Sequence, residues 1–253
     1  MSNSNPPGSV TIVIPARMGS NRIQLKNLRI LNGSPLIQHT IDVAKASMLS
    51  DKVYLNSDGE LFKDVAIENH IEFYKRSPDL ATSASLIDDY LFDFMKNRPS
   101  DYLVLLNPTS PFFEVEGLVR AWEEFINSGV DTLLSCEKIQ THCFMNGKAV
   151  NFSIDQKHPR SQDLVPVRAL NFAVSIWRTS SFVASYTENG YGVYSGNIGF
   201  FDTESWENVD LDYEEDFQIA EQISKFLNAK SEIPATYPAF VKEYLDENPD
   251  PRN

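Results

Sequence analysis

The chain is poor in the residues on which several large functional classes depend. Of its 253 residues only 2 are cysteines, Cys136 and Cys143. That is too few for a disulfide framework, and both read as reduced thiols. The 4 histidines, His39, His70, His142 and His158, show neither metal-ligand spacing nor a triad pattern, so no zinc set can be assembled from them. Ser20, Ser57 and Ser110 have no recognisable base beside them, which leaves nucleophilic serine chemistry without support. No uninterrupted apolar stretch approaches membrane-spanning length, and the opening MSNSNPPGS has no apolar core of the secretory type. Cations are also scarce: 22 Lys and Arg stand against 35 Asp and Glu, for a net charge of −13. An acidic surface repels nucleic acid and anionic membranes alike. The expectation is a soluble, cytoplasmic protein with neither as a partner.

Against that scarcity, the clustering of cations near the start of the chain carries information. Val10 to Ile14 is a short, β-branched apolar run with the length of a buried strand, and it ends in Pro15-Ala16. Arg17, Gly19, Ser20, Asn21, Arg22, Lys26 and Asn27 follow directly. In open α/β sheets, ligands bind outside the carboxyl ends of strands, and backbone N–H groups around a glycine add fixed positive charge there. An anionic ligand of so acidic a protein needs a local cationic pocket, and this loop can supply one. The loop is neither a Walker A sequence nor a dinucleotide fingerprint, and surface cations after a strand are common in α/β proteins, so composition alone leaves phosphate binding open.

The rest of the chain alternates. Leu36 to Met48 has helical spacing, with Ser34 as N-cap and Pro35 at the first helical position. Strands are expected at Val53–Asn56, Ile71–Tyr74, Tyr102–Leu106 and Thr132–Ser135, with helices at Glu60–Asn69, Leu86–Lys96 and Leu118–Ile126 between them. Pro108 and Pro111 take the chain out of the sheet after Leu106. This β-α-β-α rhythm predicts an α/β, doubly wound, mostly parallel sheet. It breaks from Glu137 to Arg178, which reads either as an inserted arm or as a long active-site loop. Asn171–Trp177 and Asn197–Asp202 return as strands, and Tyr213–Leu227 forms an amphipathic helix. Residues 1–9 are expected to be a disordered tail, 10–230 the domain, and 231–253 an extended tail.

The polar clusters Arg17 to Lys26, Asn56-Ser57-Asp58 and Asn107-Pro108-Thr109-Ser110 each fall at the end of a predicted strand, with Asp210-Leu211-Asp212 a little beyond another. In a parallel sheet those ends share one edge, and this convergence argues for a single site. Asp210 and Asp212, two apart, face the same side of an extended segment and suit Mg²⁺, which takes one or two carboxylates plus substrate phosphates. Spacing alone favours a plainer role: Asp212 with Glu215 has the pattern of a helix-capping box.

Taken in order, IPARMGSNRIQLKNL, RSPDLATSAS, LLNPTSPF, RSQDLVPVRALN and VDLDYEEDFQIAE resemble the CMP-sialic acid synthetase (acylneuraminate cytidylyltransferase) family from about Val10 to Leu227. The resemblance implies a Rossmann-like nucleotidyltransferase fold with an inserted dimerisation arm at 137–178, a homodimer, and Mg²⁺ as cofactor. It implies coupling of CTP to an α-keto sugar acid, with release of pyrophosphate. Arg17, Lys26 and Asp212 would be catalytic. Ala16, Arg17, Gly19, Ser20, Asn21, Arg22, Lys26 and Asn27 would hold the nucleotide, with Arg76 and Ser85 near its base or ribose. Asn107, Arg160, Gln162 and Asn171 would surround the sugar, and Asp210 with Asp212 would hold the metal.

The chain departs from the family pattern at Asn21, where Lys is common, at Asn107, at Phe113, where Arg is common, and at Phe172 and Ser175. The nucleotide half therefore matches better than the sugar half, and pseudaminate or legionaminate is as plausible an acceptor as N-acetylneuraminate. Kdo cytidylyltransferases, which carry an acidic residue near Asn107, are the close rival. Two further readings stay open: transfer to a sugar or alditol phosphate, and nucleotide binding without catalysis.

Overall fold

The computed structural model describes residues 8–20, 22–229 and 236–248. Its first strand, β1 (Val10–Pro15), is buried from Val10 to Ile14 because both of its faces are covered. Val10, Ile12 and Ile14 point to one side and pack with α1 (Leu36–Ala46), α2 (Glu60–Glu68) and α4 (Val115–Ser128) through Ile37, Ile41, Phe62, Leu118 and Phe125. Val13 points to the other, among Leu91 and Phe94 of α3 (Ile87–Asn97) and Phe182 of α5 (Thr179–Asn189). Alternating side chains of one strand thus serve two cores, which is why the run is apolar but for the buried Thr11.

The sheet has seven strands. β2 (Val53–Ser57) and β4 (Tyr102–Leu106) flank β1 in parallel, and β3 (Glu72–Lys75) lies outside β2. β6 (Val167–Arg178) is antiparallel and sits between β4 and β5 (Thr132–Ile139), with β7 (Ile198–Asp202) parallel to β5 at the edge. The order is β3-β2-β1-β4-β6-β5-β7, mostly parallel as expected. Progress along the sheet reverses between β1 and β4, the topological switch point where such sheets open a ligand crevice. A third apolar cluster joins Ile23, Leu31 and Leu36 to Leu211 and to Phe217 and Ala220 of α6 (Glu214–Ala229). It brings the far end of the chain against the opening loop.

Several local expectations are corrected. Ser34 does not cap α1: Ser34–Pro35 pairs with Ile30–Leu31 in a hairpin turned by Asn32 and Gly33, both at positive φ. The expected 137–178 arm is narrower. Residues 137–139 continue β5, and 167–178 form β6, whose Ala173–Trp177 segment is fully inside the sheet. The excursion proper carries a small hairpin, Phe144–Met145 with Lys148–Ala149, and a stack of His142 on His158 with ring centroids 4.0 Å apart. β6 changes register between Leu170 and Ser175, where Phe172 takes a left-handed φ of 54°. Ser9, placed in the disordered tail, is bonded to Asp101 through both its N–H (2.7 Å) and its hydroxyl (2.8 Å). Part of the expected extended tail is instead helix α7 (Ala239–Glu247). Residues 1–7, 231–235 and 249–253 of the expected tails, and Asn21, lie outside the described residues.

Candidate active site

At the switch point the chain leaves β1 through Ala16, whose N–H still donates to Asn56 at 3.0 Å, and then opens into the cation-bearing loop. Met18 N–H donates to Asp58 (3.0 Å), and a Cβ at Gly59 would collide with the Met18 side chain, so the loop packs directly on the start of α2. The loop encloses a cleft of ≈ 340 Å³ at the carboxyl ends of β1, β3 and β4. Of the residues singled out in the sequence, Ala16, Arg17, Ser20, Lys26, Asn27, Arg76, Ser85 and Asn107 all line it.

Arg76 is the most constrained of the three cations. It follows β3, is 4% exposed, and makes no ion pair among the described residues. Its Nε donates to Asn56 Oδ1 (2.8 Å), another N–H donates to the Asn56 carbonyl (2.9 Å), and its guanidinium stacks 4.1 Å from the Tyr90 ring centre. Burial pulls its pKa below the usual arginine value, and the nearby Arg17 charge pushes the same way. A buried cation without a carboxylate is costly unless an anion or acceptor completes its shell. Arg17 donates to the Thr82 carbonyl (2.7 Å), linking the opening loop to the 82–85 loop, where the Thr82 and Ser85 hydroxyls bond each other at 2.9 Å. Asn27 is 9% exposed and its Oδ1 has no partner among the described residues.

Lys26 ties this cleft to the acidic segment. Its ammonium donates to the Leu211 carbonyl (2.6 Å) and to Asp212 Oδ1 (3.0 Å), while Arg22 pairs with the other Asp212 oxygen. Leu211 is fully buried and anchors the segment between Asp210 and Asp212. Thr109, at the end of β4, receives the Leu211 N–H (2.9 Å) and donates its hydroxyl to Asp210. Burial raises the Asp210 pKa, and the Asp212 charge adds to that rise. Burial also raises Asp212, but Lys26 and Arg22 outweigh it and hold that carboxyl below the usual range.

The capping-box expectation for Asp212 fails, because its carboxylate is taken by these two cations. Asp216 caps the helix instead, accepting the N–H groups of Asp212 and Tyr213, both at 2.7 Å. No group of three or more His, Cys, Asp or Glu poised to hold a metal occurs among the described residues. The two hard carboxylates are the donor set present, and that set fits an ion that completes its shell with ligand phosphates and water.

Other residues fall elsewhere. Gly19 and Arg22 belong to the loop but do not line the cleft. Arg160 pairs with Asp163 (2.8 and 3.0 Å) and Gln162 is exposed, both on the arm and away from the cleft of their own chain. Asn171 has its hydrogen-bonding capacity filled: it donates to Thr203 (2.7 Å) and Asn208 (3.0 Å) and accepts from the Ser135 hydroxyl (2.6 Å) and Ala173 N–H (3.2 Å). Phe113, one of the departures, is a core residue, 5% exposed. Tyr90 and Thr82 are cleft residues to which sequence reading gave no role. Tyr90 sits within an ordinary amphipathic helix, where nothing in the pattern separates a cleft wall from a core position.

Known proteins resemble this chain in sequence and in fold. A sequence profile described as "Cytidylyltransferase" matches residues 11–243. The chain belongs to the cytidylyltransferase family. It is 32% identical over 183 residues to the N-acylneuraminate cytidylyltransferase of Streptococcus agalactiae serotype V, covering 68% of this chain and 44% of that protein. It is 31% identical over 164 residues to the pseudaminic acid cytidylyltransferase of Campylobacter jejuni, covering 60% of this chain and 71% of that one. The aligned region thus spans less than half the length of the streptococcal relative. A solved CMP:2-keto-3-deoxy-manno-octonic acid synthetase complexed with CTP superposes with a TM-score of 0.66 at 16% identity, covering 87% of this chain and 99% of that one. At that identity the likeness is one of fold: this member of the cytidylyltransferase family has the Rossmann-like nucleotidyltransferase architecture.

Proposed function

We propose that the chain is a nucleotidyltransferase that joins CTP to an α-keto sugar acid of the sialic or nonulosonic type, giving the CMP-sugar and pyrophosphate. The observation that carries this reading is the cleft itself. In a chain of net charge −13 it gathers Arg17, Lys26 and Arg76 at the switch point of the sheet, with two carboxylates at its rim. The relatives named for sialic and pseudaminic acids supply the substrate class.

The reaction is an in-line attack of the sugar's anomeric hydroxyl on the α-phosphorus, and it needs alignment and charge stabilisation more than covalent help. Ser20, Asn27 and the backbone of Ala16 to Gly19 cradle the triphosphate, and Arg17 and Lys26 offset the charge that develops as pyrophosphate leaves. Asn21 and Arg22 complete that loop. Arg76 and Ser85 meet the cytosine and its ribose. Asp210 and Asp212 would hold Mg²⁺, which when bound neutralises phosphate charge and orients the attacking oxygen. Asn107 lies at the sugar end.

Arg160 and Gln162, exposed on an arm that also displays Phe144, Met145 and Val165 at 59–72% exposure, serve the cleft of a second copy in a homodimer. A cytoplasmic location fits a reaction that draws on CTP. The test is pyrophosphate release from each of the four nucleoside triphosphates against sialic, legionaminic, pseudaminic and Kdo acids, with and without Mg²⁺. Release from CTP with at least one acid is expected; none with any acid overturns the reading.

A further inference from the structure

Asn56 is fully buried on β2, in register with Pro15 of β1 on one side and Tyr74 of β3 on the other. Its backbone carbonyl accepts both Ala16 N–H (3.0 Å) and an Arg76 N–H (2.9 Å), and its side-chain Oδ1 accepts Arg76 Nε (2.8 Å). Because a guanidinium only donates, the amide must present its oxygen to Arg76 and turn its nitrogen away. That nitrogen, Asn56 Nδ2, is buried and has no partner among the described residues.

The arrangement is a poor choice for stability alone. An aspartate at the same place would accept the same bonds and neutralise Arg76, with its second oxygen buried where the amide N–H₂ now lies, so the two side chains differ chiefly in charge. The amide instead clamps the guanidinium from two points against the Tyr90 ring and leaves its charge intact where it lines the cleft. Residues that lower stability while keeping a group poised are found where function requires that group.

We propose that Asn56 is a positioning residue for nucleotide recognition: it fixes the direction of the Arg76 guanidinium and, being neutral, keeps that charge available to an acceptor-rich base. The proposal rests on the placement of Arg76 at the nucleobase in the function proposed above. Asn56 itself touches no substrate and acts through Arg76.

The experiment is a double-mutant cycle read by calorimetric titration of CTP, and of the other three nucleoside triphosphates, into the full chain. Asn56→Asp keeps both hydrogen bonds and adds an ion pair, so its thermal midpoint should equal or exceed that of the parent. Its affinity for the preferred nucleotide should nevertheless fall at least tenfold. In an Arg76→Met background the same change should have no further effect, since the interaction it acts through is gone. Asn56→Ser, which keeps the backbone acceptor and loses the side-chain one, should weaken binding less than Asn56→Asp and provides the reading if the aspartate variant does not fold. A purely structural asparagine predicts parental affinity in both single variants, and that result overturns the proposal. If the parent chain prefers a nucleotide other than CTP, the cytidylyl reading fails while the cycle is read with that nucleotide. A parent chain that binds none of the four overturns both.

Discussion

Lys26 and Asp212 stand 186 positions apart in the chain and 3.0 Å apart in space. Their contact joins the loop after β1 to the segment before α6, and it unites the cationic and acidic halves of the proposed site. Asp212 also holds Arg22, so one carboxylate organises two of the loop's cations. Asp212→Asn is expected to lower turnover by about 10²–10³-fold, the size typical of a lost group that stabilises transition-state charge. The pair is partly exposed, and the thermal midpoint should move little. Pyrophosphate release and a thermal melt on the same preparation check both halves; parental turnover would return Asp212 to a structural role.

Leu211 has no exposed surface and anchors the acidic segment among Ile23, Leu31, Leu36, Phe217 and Ala220. Leu211→Ala should cost about 2–4 kcal/mol, the sum of lost transfer energy and a residual cavity. Urea denaturation measures it. Activity should fall as well, because the two flanking carboxylates lose their common support.

Asn171 illustrates a residue whose family role and bonding differ. Its contacts tie β6 to Ser135 of β5 and to Thr203 and Asn208 beyond β7. Asn171→Ala should therefore destabilise the fold by about 1–3 kcal/mol through unpaired buried groups while leaving KM for the acceptor near its parental value. Steady-state kinetics at saturating CTP separates the two effects. A large rise in acceptor KM at unchanged stability would place Asn171 at the sugar.

Tyr74 and Tyr90, together with Tyr186 and the buried thiol of Cys136, make stability sensitive to alkaline pH. Burial, with a bond to Asp93, pushes Tyr74 up to about 12 from 10.0, and burial pushes Tyr90 up to about 12 against the opposing pull of Arg76. Below the unfolded value both states keep the proton and stability is unaffected. Between about 10 and 12 the unfolded chain releases protons that the folded chain retains, so the unfolding free energy falls as pH rises. Urea midpoints should be flat to about pH 8 and then drop, first as the unfolded Cys136 thiol and then as the unfolded tyrosines lose their protons, and Tyr74→Phe should make the drop shallower.

Much of the fold was legible from residues alone where burial is two-sided or periodic. Tyr102–Leu106 and, but for Thr11, Val10–Ile14 are apolar runs because helices cover both faces. β6 was harder. Its register shift at Phe172 and its polar Arg168, Asn171 and Ser175 interrupt any alternation, so a central strand was partly assigned to an arm. α5 escaped notice because only Thr179 and Phe182 are buried in TSSFVASYTEN, too few to make a stripe. The cap of α6 was assigned by spacing to Asp212 with Glu215, but spacing knows nothing of Lys26 and Arg22, whose charges claim that carboxylate and leave Asp216 to serve the helix end. Local chemistry is written locally; the partners that decide among its options are not.

The strand order has a consequence for how the molecule is made. Domains take shape as the ribosome delivers them, N-terminal end first. Here β4 cannot gain its second neighbour until Val167–Arg178 has emerged, and Arg22 and Lys26 wait without their counter-charge until Asp212 follows. Assembly of the proposed site therefore waits on a segment far downstream of its first loop. A nascent chain halted just after β7 would carry all seven strands but neither Asp210 nor Asp212, so its loop cations would lack their counter-charge.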